Sequence, residues 1–269
     1  MPGPVINSSP MLVDTHCHLD AAEFDADRDA IVKAARSKGV GSIVIPAVEA
    51  ANFIQVADIC RRYPHCVAAY GIHPLYVNRA VPEALSALRR TIVTESPIAV
   101  GEIGLDFFEE GYDEAKQTDY FVEQLRIARE YDLPVILHVR RAIDTILKHL
   151  RQIRVRGGIA HAFNGSRQQA GTFLDLGFKL GFGGAMTYDR ASRIRELARS
   201  LPLSSIVLET DAPDIPPSWL QHRRNSPAEL QQIGKTLAAL RGISYATVAT
   251  ATTLNAMDAL PGLKGVCQA

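Results

Sequence analysis

Short apolar or β-branched runs recur along the chain, and each is followed by a segment whose apolar residues fall at helical spacing. The runs that read as strands are Met11–Thr15, Ser42–Ala47, Cys66–Ile72, Ile98–Ile103, Val135–His138, Gly158–Phe163, Phe178–Gly181 and Ser205–Glu209. Amphipathic segments separate them: 28–37, 52–63, 82–93, 114–131, 142–150, 168–176 and 192–200. In the longest, Tyr120, Phe121, Gln124, Leu125 and Ala128 mark one helix face. Gly39 follows the first helix as a stop. After the eighth run a Pro-rich loop leads to Ser226-Pro227-Ala228-Glu229, a cap, a first-turn proline and an acid three residues after the cap. A last helical stretch begins near Ser244 and ends before Pro261.

Strand and helix alternating eight times predicts parallel strands with helical crossovers. Eight such units fit a closed (β/α)8 TIM barrel, whose usual size is about 250 residues; the chain has 269. A doubly wound open sheet is the alternative. No GxGxxG turn follows any strand, which disfavours its dinucleotide-binding form. The expected organisation is a flexible extension over residues 1–10 and one domain from 11 to 269.

Composition narrows the classes. Hydrophobic residues make up 47% and charged residues 22%, as in ordinary water-soluble domains. No apolar run is long enough to span a bilayer, and the first ten residues carry no Lys or Arg, so no secretory signal is read there. The four cysteines include no CxxC pair, which points to a reducing, cytoplasmic setting. With a net charge of zero, attraction to a polyanion has to come from a local patch or from bound metal.

In a barrel, functional groups sit at the C-terminal ends of strands. There the sequence places His16 and His18, then His73 in Gly71-Ile72-His73-Pro74, Glu102 in Gly101-Glu102-Ile103-Gly104-Leu105-Asp106, His138, His161 and Asp211. In an extended segment His16 and His18 face one way and Cys17 the other, toward packing. A single strand-end histidine is commonly just hydrogen-bonded, and a strand-end aspartate often caps a turn. Glu102 follows the apolar Ile98-Ala99-Val100, where a carboxylate is costly unless paired. His16, His18, His138, His161, Glu102 and Asp211 exceed what one tetrahedral ion needs. They suit two divalent ions sharing a carboxylate, with Glu102 the central choice for the bridge. Asp211 could both hold an ion and accept a proton from water.

These motifs, together with Asp14-Thr15-His16-Cys17-His18-Leu19-Asp20, His161-Ala162-Phe163-Asn164-Gly165-Ser166 and Glu209-Thr210-Asp211-Ala212-Pro213, resemble the TatD-type metal-dependent deoxyribonucleases. These form a branch of the amidohydrolase-like TIM-barrel hydrolases. The resemblance runs from the first strand to the eighth. The stretch from Glu209 through Asn225-Ser226-Pro227 looks closest to the YjjV-like subgroup. The resemblance implies one ion on His16, His18 and Asp211, another on His138 and His161, and Glu102 between them. It implies hydrolysis of phosphodiester bonds in DNA, typically 3′–5′ from single strands or frayed ends. His73 would then contact substrate phosphate or stabilise developing charge, and Arg140 would grip phosphate oxygens. Ala162 and Asn164 stand where the family often has Cys and Ser, and Phe107 where tyrosine is common.

Two basic patches could engage a strand: Arg140-Arg141, and His222-Arg223-Arg224 with Trp219 or Tyr188 for base stacking. Metal-dependent hydrolysis of a small ester, amide or phosphoester is the alternative activity, and a metal-binding scaffold without turnover is a third. Barrel hydrolases that bridge their metals through a modified lysine on strand four differ here, where Glu102 is offered. Imidazole-rich ligation favours Zn²⁺ or Mn²⁺, whereas Mg²⁺ prefers oxygen shells. A monomer is the default expectation.

Overall fold

Each run of β-branched and apolar residues becomes a strand, since such side chains pack well on a pleated, buried surface. The structure, a computed structural model, describes residues 11–266. The expected flexible extension at residues 1–10 and Cys267 lie outside the described residues. The strands are β1 (Leu12–Asp14), β2 (Val40–Pro46), β3 (Cys66–Tyr70), β4 (Ala99–Asp106), β5 (Val135–Arg140), β6 (Gly158–Ala160), β7 (Phe178–Phe182) and β8 (Ile206–Leu208). They pair in parallel in chain order, β1 to β8. The first and last strands then meet: Thr15 N–H donates to the Leu208 carbonyl at 3.1 Å, and beyond the strand ends Asp211 N–H donates to the His16 carbonyl at 2.8 Å. The barrel closes.

The crossovers are α1 (Arg28–Ser37), α2 (Phe53–Arg62), α3 (Ala84–Glu95), α4 (Glu114–Glu130), α5 (Ile143–Gln152), α6 (Arg167–Asp175) and α7 (Ser192–Ser200), and α8 (Leu230–Arg241) and α9 (Tyr245–Ala259) follow β8. Ser226 does act as a cap, but its hydroxyl accepts from Ala228 N–H and opens a 3-10 turn over Pro227–Glu229 before α8 begins. Among the described residues no helix is long and apolar enough to cross a membrane.

Two cores result from the alternation of strand faces. Outward side chains such as Ile43, Ile45, Val100 and Leu137 pack under the helices. Inward ones, Val13, Val44, Val67, Ala99, Ile136, Ile159 and Val207, fill the lumen, and Ala256, Leu260 and Leu263 close it from below. The lumen is therefore packed hydrocarbon, as in other barrels of this size. Only its upper mouth is polar.

At two strands this alternation breaks where chemistry begins. Val13 faces inward, so strict alternation would send Thr15 and Cys17 inward as well. A bend at Thr15 resets the phase, and Cys17 joins the outer core while pairing with Ala212. In β4, Val100 and Ile103 both face outward although they are three residues apart. Pairing with β5 shifts between them, Val100 against Val135 but Ile103 against Leu137, which is a β-bulge. Without it, Glu102 would share the outward face of Val100. The bulge turns Glu102 into the mouth.

Candidate metal centre

Glu102 is 1% exposed and forms the middle of the cluster. Its two oxygens divide the histidines. Oε2 lies 3.2 Å from His16 Nε2 and 3.6 Å from His18 Nε2. Oε1 lies 3.0 Å from His138 Nδ1, 3.0 Å from His161 Nε2 and 3.5 Å from His73 Nε2. Asp211 joins the first side, its Oδ1 3.5 Å from His16 Nε2 and 3.8 Å from His18 Nε2. His16, His18 and Asp211 thus form one set of donor atoms close enough to share an ion. A second set, His16, Glu102 and His161, shares His16 with it, and a third, His73, Glu102 and His138, shares Glu102 with the second.

The donor chemistry fits a cation. The Nε2 atoms of His16 and His18 stand 3.2 Å apart. Two lone pairs at that distance repel unless a proton or a metal ion lies between them. His138 points both ring nitrogens at carboxylates, Nδ1 at Glu102 and Nε2 at Asp106 Oδ2, 2.9 Å away. The Nε2–H bond to Asp106 leaves Nδ1 as the nitrogen available to a metal, the usual arrangement of a carboxylate behind a ligating histidine.

His73 is different. Its Nδ1 accepts Leu75 N–H at 3.2 Å, and a backbone amide can only donate. Burial pushes its pKa down to about 3, so the ring is neutral and carries its proton on Nε2. That nitrogen faces the centre as a donor, which suits a phosphate oxygen and not a metal.

The electrostatics follow from packing acids and imidazoles out of water. Burial pushes Glu102 up, but the charge of His161 and the hydrogen bond with His138 outweigh it and hold the carboxyl well below the usual range. Burial pushes His161 down, yet Glu102 and Asp211 raise it to about 10. Burial and the charge of His161 drive His16 well below its ordinary value. A divalent ion would therefore have to displace a proton from His161 at neutral pH. Between about pH 6 and 8, affinity is expected to rise at least about tenfold per pH unit, because ligand protons compete with metal. Chelator competition across that range measures it, and a flat profile would exclude the proton displacement.

Backbone geometry positions these groups. Gly104 has φ +152°, and a Cβ there would sit 2.0 Å from the His138 carbonyl oxygen. Ala162 and Asp211 take left-handed conformations, φ 45° and 57°. Strain of this kind is retained only where surrounding contacts hold it. Asp14 supplies some of those contacts. Its carboxylate accepts from Thr210 Oγ1 at 2.6 Å and Thr210 N–H at 2.9 Å, tying the end of β1 to that of β8. Asn225, fully buried, donates to the carbonyls of Thr210, Asp214 and Ile215 and pins the Pro-rich loop.

Two carboxylates that the sequence pattern did not single out stand behind the ligands. Asp106 accepts from His138 and from the amides of Phe108 and Glu109; against burial, these bonds hold its pKa at about 2. Glu209 accepts Ala162 N–H at 2.5 Å, with Oε1 3.8 Å from His161 Nδ1. A Cβ on residue 181 would lie 2.1 Å from Glu209 Oε2, so the slot depends on Gly181. Their only signal in the sequence was a place inside the strand-end motifs. Replacing Asp106 with Asn should weaken metal affinity about 10- to 100-fold, the range for residues that orient a ligand. A metal titration of the folded variant checks it; unchanged affinity would remove Asp106 from the site.

The remaining sequence expectations divide. Arg140 lines the cleft above the centre, its Nη1 2.7 Å from Glu109 Oε1 and 3.7 Å from Asp106 Oδ2. Arg141 lines it as well, and both guanidinium groups lie over Phe108. Arg223 does not line the cleft and bonds the Leu220 carbonyl; Arg224 pairs with Asp27. Trp219 donates to Glu229 and Tyr188 to the Pro216 carbonyl, both away from the cleft lining. The aromatics that do line the cleft are Phe108 and Tyr76.

A model of the TatD-related DNase family matches residues 13–260. The chain belongs to that family. It is 41% identical over 232 residues to the Escherichia coli K12 protein YjjV, described as an uncharacterized metal-dependent hydrolase, covering 85% of this chain and 90% of that one. It is 32% identical over 253 residues to the 3′-5′ ssDNA/RNA exonuclease TatD of Erwinia tasmaniensis, covering 91% and 98%. The crystal structure of YjjV, a TatD homologue from E. coli K12, superposes with a TM-score of 0.90 at 39% identity over 93% of this chain and 98% of that one. A TatD-family hydrolase from Entamoeba histolytica, at 19% identity, shares the fold with a TM-score of 0.85. The fold and family that the motifs suggested are those found.

Proposed function

We propose that this metal-dependent hydrolase of the TatD family cleaves phosphodiester bonds in DNA, acting 3′–5′ on single strands or frayed ends with two divalent ions. The observation that carries the reading is the division of Glu102, one oxygen toward His16 and His18, the other toward His138 and His161. A carboxylate so placed suits a bridge. His16, His18 and Asp211 would hold one ion and His138 and His161 the other. Two divalent ions in such a site supply Lewis acidity, acidifying water and offsetting phosphate charge. Their imidazole-rich donors favour Zn²⁺ or Mn²⁺ over Mg²⁺.

The side chains divide the remaining work. Burial raises the pKa of Asp211, which makes its carboxylate a better proton acceptor for the attacking water. The water oxygen bonds to phosphorus as the P–O3′ bond breaks, and the leaving O3′ takes a proton from solvent to end the shortened strand as a hydroxyl. His73 donates its Nε2 proton as a hydrogen bond to a non-bridging oxygen, and with Nδ1 held by the Leu75 amide it offers no lone pair to a metal. Arg140 holds the same phosphate from the rim. The Erwinia relative named as an ssDNA/RNA exonuclease supports this substrate class.

The test uses purified protein with Mn²⁺, Zn²⁺ or Mg²⁺ and an end-labelled single-stranded oligonucleotide. The strand should shorten progressively, and EDTA should stop it. Turnover of a small ester with no strand cleavage under any metal would overturn the assignment.

A further inference from the structure

The cleft above the centre encloses about 1510 Å³, far more than a single phosphodiester needs, and its two ends differ chemically. Around a barrel of eight strands in sequence order, the ends of β1–β3 stand opposite those of β5–β7. The first end is walled by Asp20, Glu23, Ala21, Leu75 and Tyr76. Asp20 is 7% exposed; Asn52 donates to its Oδ2 at 2.8 Å, and its buried Oδ1 has no partner among the described residues. Arg28, behind this wall, is taken up by the Asp25 carboxylate and by backbone carbonyls. The wall is apolar and acidic.

The opposite end is cationic. Arg141 is exposed and rests on Phe108. Arg193 is exposed and donates to Asn164 Oδ1 at 2.8 Å. Among the described residues neither has an ion-pair partner, whereas Arg140 is partly neutralised by Glu109. The one carboxylate on this wall, Asp144, accepts from Gln169.

We infer that the cleft seats a strand in one sense only, its continuing phosphates over Arg141 and Arg193 and its terminal nucleoside, ending in a free hydroxyl, beside Asp20 and Glu23. This rests on the phosphodiesterase reading and adds the chemistry of the end that is accepted. A hydroxyl can donate to a carboxylate. A terminal phosphate in the same place sets a dianion against two acids, one of them the buried Asp20. Leu75, Tyr76 and Ala21 give the sugar and base an apolar seat, while phosphates further along meet two guanidinium groups free to bind them. The enzyme accordingly rejects phosphorylated ends.

The experiment compares internally labelled oligonucleotides, identical except for a hydroxyl or a phosphate at the terminus, with bis(p-nitrophenyl) phosphate as a diester too short to reach either end. The native enzyme should remove nucleotides from the hydroxyl-ended strand at least about tenfold faster than from the phosphate-ended one. Glu23→Gln, an exposed change that spares the fold, and Asp20→Asn should together narrow that ratio to within about threefold. Arg141→Gln and Arg193→Gln should each raise KM for the strand and lower its salt slope by about one. Their loss on the strand should exceed that on the small diester by about tenfold. Equal rates on both ends, or variants that affect strand and small diester alike, overturn this inference and leave the phosphodiesterase reading standing. Hydrolysis of the small diester with no cleavage of any strand overturns both.

Discussion

Replacing Glu102 with Ala should strip the protein of both proposed divalent ions and lower the proposed phosphodiester turnover by more than about a thousandfold. Charge stabilisation at a two-metal centre is worth several kcal/mol, and each 1.36 kcal/mol is a factor of ten. The reason lies in the sharing of one carboxylate. Oε2 faces His16 and His18, and Oε1 faces His138 and His161, so one carboxylate serves both sets. Metal content by mass spectrometry of the purified variant decides the matter. Two ions retained would refute the bridging role whatever happens to activity. The fold should tolerate the change, because Glu102 sits at the polar mouth and not within the packed lumen formed by Val44, Ile136 and Val207. Circular dichroism separates loss of metal from loss of structure.

The second large effect is expected at Asp211. Its φ of 57° is left-handed, a conformation asparagine accepts readily, so Asp211→Asn changes charge while keeping the backbone. A general base contributes about 10²- to 10⁴-fold, and kcat should fall within that range even at saturating metal. The outcome to watch is the split between metal binding and rate. If Asp211 were only a ligand, excess metal would restore kcat. If it also accepts the proton, excess metal restores occupancy and leaves the rate low. Full recovery of kcat by metal alone would exclude the base role.

Much of this was legible because barrels put chemistry where strands end. The eight runs and their helices could be found from hydrophobic spacing, and once their order was known, His16, His18, His138, His161 and Asp211 had to meet at one rim. Glu102 was legible as a costly acid after an apolar run, but its orientation was not. Period-two alternation from Ala99 and Val100 sends it outward, and only the pairing of β4 with β5 reveals the bulge that turns it in. His16 and His18 also depend on a bend that alternation does not contain. Asp106 and Glu209 escaped notice because they stand behind other residues, His138 and His161, and that relation exists only in three dimensions. Arg223 and Trp219 show the converse. Both lie in a loop on the expected rim, yet local partners in that loop claim their polar groups, Leu220 for one and Glu229 for the other. Phe108 carried no periodic signal, and its place beneath Arg140 and Arg141 exists only in the folded chain.

The lumen floor has a bearing on how the chain reaches this state during synthesis. Val13, in the first strand, shares its inner core with Leu260 and Leu263, and Thr15 hydrogen-bonds the Leu208 carbonyl across 193 residues of sequence. The earliest strand to leave the ribosome can neither complete its pairing nor cover its inner face until almost the last helix has emerged. Pairing over such separations is slow, and the waiting edge of β1 is open to other chains meanwhile. The proposed metal ligation would inherit the delay. His16 and His18 meet Asp211 only when the barrel shuts, so metal uptake at the proposed centre should report that the ring is complete.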